Sequence, residues 1–318
     1  MTLVRTRVSS PVFVVGPLRS GTTLLHLMID NHPEICNFGE FEYAVGFAKG
    51  INFPPVDEYK RRLCEDRMFN DSGLTVSQCN SYEDIVRDFL TQKIKASGKH
   101  FISANVHHRF DLLREIWPDA RFVLLLRDPR DVARSCIGMG WVGNVWCGAD
   151  YWTSVMERWN RMRDNVPDED VCVVKYENLV RSPEDTLSKI CRFIGTTFDP
   201  RMLRFYESST YSKVDETLAE QWRHKLKPRE IELVETKCRT LMEECGYEAV
   251  SNPFSPSAVE KAYLEVQSLA FRRYFNIRRY GIRLYLQWQL AKRIASKHSA
   301  FREKIVRLVN QVDREHLK

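Results

Sequence analysis

The sequence predicts an α/β fold built on a parallel sheet, and three observations carry that expectation. A short β-branched run at residues 12–15 stops at Gly16 and leads into a helical stretch over 23–30. A second apolar run occupies 120–126 and a third 171–174. Helical segments separate these runs, which is the pattern of βαβ units, whose crossovers bring successive strands into parallel register.

The remaining elements follow in order. Residues 42–98 mix aromatic and charged side chains, with Ile85, Phe89 and Leu90 at helical spacing, and read as helices and loops over the core. A helix over 111–117 precedes the second run and is ended by Pro118. Residues 183–193 read as a helix closing at Gly195. The Pro/Ser-rich stretch at 251–256 is the strongest break, and it divides the chain into a domain over 1–250, with 42–98 inside it, and an extension over 251–318.

Composition narrows the class. A chain of 318 residues that is 43% hydrophobic and 28% charged can bury a full core, which excludes disordered and collagenous classes. Nine cysteines occur without a Cys-x-x-Cys pair, so neither a disulfide framework nor a zinc site is expected, and no metal is assigned. The longest aliphatic run, 122–126, is far short of a bilayer span. Arg5 and Arg7 precede an apolar stretch, but Pro11, Gly16, Pro17 and Arg19 interrupt it before it could act as a signal-peptide core. A cytoplasmic protein is the expectation. The net charge of +6 is uneven: residues 271–318 carry 13 Lys or Arg against Glu303, Asp313 and Glu315, a balance of +10, which leaves −4 for the rest.

Two constellations carry chemistry. Gly16-Pro-Leu-Arg-Ser-Gly21-Thr22-Thr23 has the spacing of a Walker-type loop with Thr22 at the position of the usual Lys. Glycines at a helix N-terminus still make an anion cradle, and Arg19 offers a fork of donors. The plain alternative is an ordinary glycine-containing turn. The second constellation is Arg127-Asp-Pro-Arg-Asp-Val-Ala-Arg-Ser135, where five apolar residues deliver Arg127 at a strand end. Asp128 and Pro129 suit the cap and first position of a helix, yet capping does not explain Arg127. In open α/β sheets ligands bind at the carboxyl ends of strands, so both anion sites could share one edge.

Together these residues resemble the 3′-phosphoadenosine-5′-phosphosulfate (PAPS)-dependent sulfotransferases. Residues 17–23 are similar to that family's 5′-phosphosulfate loop, and residues 127–135 to its 3′-phosphate motif, in which the first Arg and the Ser bind the phosphate. Lys175-Tyr176-Glu-Asn-Leu179 resembles a segment whose Tyr lies near the adenine, and Trp222 and Arg223 fall in an element that closes over the donor. The similarity spans roughly 11–247 and looks closer to the tyrosylprotein and bacterial branch, as in Asp30-Asn-His32-Pro33. It implies a three-layer α/β/α P-loop core, PAPS as donor, adenosine 3′,5′-bisphosphate as product, and Arg19, Ser20, Gly21, Thr22, Thr23, Arg127, Ser135, Tyr176, Trp222 and Arg223 at the donor. Arg19, Thr22 and Thr23 would also stabilise charge on the bridging oxygen and leaving phosphate.

The resemblance places the catalytic base at Glu40, with His107 or His108 as the cytosolic-type alternative and Glu42 as a neighbouring candidate that otherwise lines the acceptor. A solvated carboxylate and packed histidines are the plain alternatives. The chain departs from many relatives in lacking a Lys in residues 102–109, so either Asn105, His107 or Arg109 takes over its support of the bridging oxygen or catalytic power is reduced. Trp141 and Trp146, in a glycine-punctuated stretch, are read as loop aromatics lining the acceptor pocket, whereas Trp152 and Trp159, seven apart, read as core.

From 277 to 312 apolar residues recur at helical spacing, among them Leu284, Trp288, Ala291, Ile294, Ile305 and Leu308, with Arg and Lys between them. These helices are expected to pack on the body, to dock peripherally on the inner face of a membrane, or to mediate a homodimer. The acceptor that the resemblance implies is a hydroxyl, ahead of an amine, on a carbohydrate, a lipid-linked compound or a small molecule. A P-loop kinase or hydrolase and a non-catalytic nucleotide-binding membrane adaptor are the competing classes. Nucleic acid is not an expected partner, because no reading module accompanies the basic tail.

Overall fold

A computed structural model describes residues 10–293 and 300–316; Arg5, Arg7 and Ile294 lie outside them. Five strands form one sheet: β1 (Val12–Val15), β2 (Ile35–Glu40), β3 (Phe101–Val106), β4 (Arg121–Leu126) and β5 (Val171–Lys175), in the order β2-β3-β1-β4-β5. Every pairing is parallel, with Val14 opposite Asn105 on one side and Val123 on the other. All five strands therefore end at the same edge. Gly16, Glu40, His107, Arg127 and Tyr176 stand at or just beyond those ends.

The period-2 alternation of β1 and β4 sorts their side chains into two cores. Phe13, Val15, Phe122, Leu124 and Leu126 face one side, covered by α4 (Tyr82–Ser97), α7 (Val145–Arg163) and α11 (Pro228–Glu244). Val12, Val14, Val123 and Leu125 face the other, covered by α1 (Thr22–Asp30) and α9 (Pro183–Ile194). The result is the expected three-layer α/β/α arrangement. Residues 56–97 hold α2 (Val56–Glu65), α3 (Arg67–Asp71) and α4, with Ile85, Phe89 and Leu90 buried. Residues 110–116 form a 3₁₀ turn running into α5 (Leu113–Ile116).

The sequence reading has three strands where the structure has five. The two additional ones, Ile-Cys-Asn-Phe-Gly-Glu and Phe-Ile-Ser-Ala-Asn-Val, interleave polar residues with apolar ones. Asn37, Ser103 and Asn105 are nonetheless buried. Pairing with neighbours, rather than intrinsic β-propensity, holds these segments extended.

Beyond β5 come α8 (Tyr176–Arg181), α9, α10 (Trp222–Lys225) and α11, then α12 (Ala258–Arg293), broken at Gly281, and α13 (Ala300–His316). The first half of α12 lies on the body: Gly143 N–H donates to Ser268 Oγ at 2.9 Å, and Asn144 Nδ2 to the Leu264 carbonyl at 2.6 Å. Its second half packs against α13 through Ala291, Ile305 and Val309, with Leu284, Trp288 and Phe301 around them. Leu308, read as part of the same stripe, faces outward, and Val309 takes the inner position. Arg314 of α13 reaches Asp71 at 2.6 Å and Arg302 reaches Glu65 at 3.3 Å, tying the hairpin to α2 and α3.

Candidate active site

β1 leaves the sheet through a loop that only glycine permits at two points. Gly16 has φ +150° and a Cβ there would fall 2.3 Å from the Leu125 carbonyl oxygen; Gly21 has φ +92° and a Cβ would fall 2.4 Å from the Tyr176 ring. Arg19 holds a left-handed backbone at φ 71° without being glycine, a conformation that costs about 1–3 kcal/mol and is found where a site requires it. Thr22 and Thr23 open α1, whose first turn is capped by no side chain, so its leading N–H groups point out of the helix toward the loop. Ser20 is fully buried and its Oγ has no partner among the described residues. An uncapped helix start beside an unpartnered buried hydroxyl suits an anion.

β4 delivers Arg127 to the same place. Its Nη1 donates to the Arg19 carbonyl at 3.2 Å, its Nη2 to the Leu218 carbonyl at 3.1 Å, and its guanidinium lies 4.2 Å from the Tyr176 ring centroid. Arg19 Nε in turn donates to Ser135 Oγ at 3.0 Å. The loop and the Arg127/Ser135 pair, 116 residues apart at Arg19 and Ser135, are thus one connected cluster. Asp131 lies 3.8 Å from Arg127 and accepts from Trp222 N–H at 2.8 Å. Burial raises the Asp131 carboxyl to about 6, against the lowering effect of Arg127.

α6 (Pro129–Gly138) carries Ser135, and Asp128 caps it by accepting from Arg130 N–H at 2.9 Å. Arg130 is buried and forks onto Asp128 Oδ2 and Glu235 Oε1, both at 2.6 Å, while stacking 3.5 Å from the Trp222 centroid. Glu177 accepts from Asp128 N–H at 3.0 Å and from Tyr247 Oη at 3.0 Å. This network fastens the start of α6 to α8, α10 and α11.

On the acceptor side, β3 ends beside the loop. His107 is buried and its Nδ1 lies 3.0 Å from the Gly16 carbonyl, which can only accept, so the proton is assigned to Nδ1. Nε2 is then a lone pair facing Thr22 Oγ1 at 3.4 Å. Burial lowers the His107 pKa, outweighing the opposing Gly16 hydrogen bond and Glu40 charge. Glu42 accepts the His107 N–H through one oxygen and the His108 N–H through the other, at 3.2 Å for His108. Burial pushes the Glu42 carboxyl up to about 7, against those two hydrogen bonds and with a smaller contribution from Glu40. Glu40 itself is exposed at the end of β2, past a register shift between Asn37 and Glu40.

A model of the Sulfotransferase family matches residues 11–200. The chain belongs to the sulfotransferase family. It is 24% identical over 209 residues to protein-tyrosine sulfotransferase A of Caenorhabditis elegans, covering 62% of this chain and 53% of that one. It is 26% identical over 207 residues to protein-tyrosine sulfotransferase 1 of Danio rerio, covering 62% and 56%. The aligned part therefore spans little more than half of each relative. Among solved structures, the sulfotransferase domain from the curacin biosynthetic pathway superposes with a TM-score of 0.57 at 16% identity, over 76% of this chain and 99% of that one, a likeness of fold. Membership in the family places the chain among the sulfuryl-group transferases.

The loop expected to carry Trp146 needs correction in this sulfotransferase. Trp146 is not in a loop: Asn144 caps α7, accepting from Cys147 N–H, and puts Trp146 in its first turn at 8% exposure with Lys237 Nζ 4.0 Å from the ring centroid. Trp141 does lie between helices but is stacked on Tyr151 at 5.5 Å. Arg109 donates its guanidinium to the carbonyls of Ala48 and Gly50 and braces that turn. Asn105 Nδ2 donates to the Thr22 carbonyl at 3.3 Å, and its Oδ1 is buried without a partner. Arg223 is exposed, paired with Glu220 at 3.1 Å and 4.5 Å from the Trp222 centroid. Trp222 is buried in the same network as Arg130.

The sequence reading missed the His26–Asn37 pair. His26 Nδ1 lies 2.9 Å from Asn37 Oδ1, which also accepts from Gly39 N–H at 2.8 Å and so fixes the bend that presents Glu40. The signal available was Gly39, which holds φ +77°.

The Glu42 clamp has a measurable signature. A carboxyl whose folded pKa is about 7 against an ordinary 4.5 binds its proton more tightly when folded. Its stabilising contribution is complete below 4.5 and lost as pH rises through about 7. Urea unfolding across that window is expected to show stability falling toward neutrality, with a flatter profile in Glu42→Gln; an identical profile in the variant removes Glu42 as the source.

Proposed function

We propose that the chain moves the sulfuryl group of PAPS onto an acceptor hydroxyl, leaving adenosine 3′,5′-bisphosphate. The observation that carries the reading is the joined cluster at the sheet edge: a glycine loop at the start of α1 and an Arg127/Ser135 pair, linked through Arg19. Two anion-binding elements so joined fit a nucleotide with phosphates at both its 5′ and 3′ positions. Ser20 Oγ and Arg127 Nε are buried polar atoms without partners, as a phosphate-binding surface requires.

In the transfer the sulfur–oxygen bond to the phosphate breaks while a bond from sulfur to the acceptor oxygen forms, and the acceptor's proton must leave. Glu40 is the group to take it. Glu42 has both oxygens committed to backbone N–H donors, and His107 has both ring nitrogens engaged inside the core. Glu40 is exposed at the same edge, close enough for its charge to act on both. The Thr22 hydroxyl donates to His107 Nε2, so the backbone N–H groups of Thr22 and Thr23 at the uncapped helix start, with the Thr23 hydroxyl, stabilise the charge developing on the leaving oxygen. The curated relatives act by name on protein tyrosine, and a phenolic hydroxyl belongs to the acceptor class tested.

Calorimetric titration with adenosine 3′,5′-bisphosphate, adenosine 5′-phosphate and Mg-ATP tests the donor assignment. Binding is expected to require the 3′-phosphate. Arg127→Ala and Ser135→Ala should each weaken it by about 10- to 150-fold, the loss of one hydrogen bond to a charged group at ~1.5–3 kcal/mol. Equal binding of the three ligands, or preference for Mg-ATP, would return the loop to a general phosphate cradle of the kinase or hydrolase kind.

A further inference from the structure

We propose that the outer face of the C-terminal helical hairpin docks on an anionic lipid bilayer. The inner face of the hairpin is already used, since Ala291, Ile305 and Val309 are buried between α12 and α13. On the opposite side Ile282, Leu286 and Leu290 are 63%, 59% and 56% exposed. Their spacing of four residues lines them along one side of the helix over about 12 Å. At 3.6 residues per turn Arg283 and Arg293, both exposed, share that side.

Charge selects the occupant. Residues 266–293 contain seven Lys or Arg and no Asp or Glu. Among the described residues only Arg279 of the seven forms an ion pair, with Asp313 at 3.8 Å. A second copy docked through this face would bring cations against cations within a Debye length of about 10 Å. A nucleic acid would satisfy the arginines and leave the aliphatic stripe in water. A bilayer surface takes both groups: the aliphatic side chains enter the headgroup boundary, and the arginines reach lipid phosphates and carboxylates on extended stems. No helix among the described residues is long and apolar enough to cross a membrane, so the contact is a surface one. The proposal is independent of the donor assignment.

Flotation of the full chain with vesicles tests it, using phosphatidylcholine alone and phosphatidylcholine mixed with phosphatidylserine. Binding is expected only with phosphatidylserine present, weakening as salt is raised. Arg283→Gln with Arg293→Gln should lower it roughly 25-fold, about fivefold per cation, which corresponds to ~1 kcal/mol for each at an anionic surface. Leu286→Ser with Leu290→Ser should also weaken it. Because these side chains point away from both cores, circular dichroism and thermal melting of the variants are expected to match the parent, separating lost docking from lost folding. Absence of flotation, equal flotation with neutral vesicles, tighter binding to a DNA duplex, or a dimer in sedimentation that the leucine variant abolishes would each overturn the proposal.

Discussion

Glu40→Gln is expected to lower kcat for sulfuryl transfer by about 10²- to 10⁴-fold, the range for removing a positioned general base. The substitution keeps the shape of the side chain and removes its capacity to take a proton, so calorimetric affinity for adenosine 3′,5′-bisphosphate should be unchanged. Steady-state kinetics with a phenolic acceptor, beside that titration, checks both halves. Glu42→Gln provides the contrast. Glu42 holds the backbone of residues 107 and 108, so its loss should act through the placement of His107 and Thr22 and move donor affinity as well as rate. If Glu40→Gln retains full turnover, the proton goes elsewhere and the exposed end of β2 is only a wall of the acceptor site.

Arg130→Met is expected to destabilise the fold by about 3–5 kcal/mol, the loss found when one partner of a buried ion pair is removed. Asp128 and Glu235 are both buried and would keep their charges without the guanidinium between them. Methionine fills much of the volume, so the effect isolates the charge from the cavity. Urea denaturation followed by tryptophan fluorescence measures it. A change under about 1 kcal/mol would mean that Ser251, whose N–H and Oγ both reach Glu235, and the cap hydrogen bond to Asp128 already carry the two carboxylates. The network ends on Trp222, so donor affinity should fall together with stability.

The proposed donor half of the site is legible in the sequence because its chemistry is local. An arginine placed directly after five apolar residues has to emerge at a strand end, and glycines before a helix start make a loop whatever surrounds them. The acceptor half depends on contacts across the sheet. The backbone of residues 107 and 108 meets Glu42 some 65 residues away, and no spacing rule connects a carboxylate to a distant N–H. β2 and β3 are not legible because their polar residues break the apolar pattern: β3, flanked by β2 and β1, needs no strong propensity of its own, and β2 is held extended at the edge by its pairing with β3. Trp146 was misplaced because the glycines before it read as a loop that continues, when Asn144 ends the loop by capping α7. There the cap was the better signal.

With the donor placed as proposed, the bond from Arg19 to Ser135, and that from Arg127 back to the Arg19 carbonyl, would make the site a gauge of the distance between two phosphates. A ligand that moves the loop also moves the group waiting for the other end of the nucleotide. Any change that occupancy at one end makes in affinity at the other would then act by the same factor in both directions. Discrimination against ATP or adenosine 5′-phosphate would come from this linkage as well as from any missing contact: a ligand of the wrong span engages one end while leaving the other poorly set.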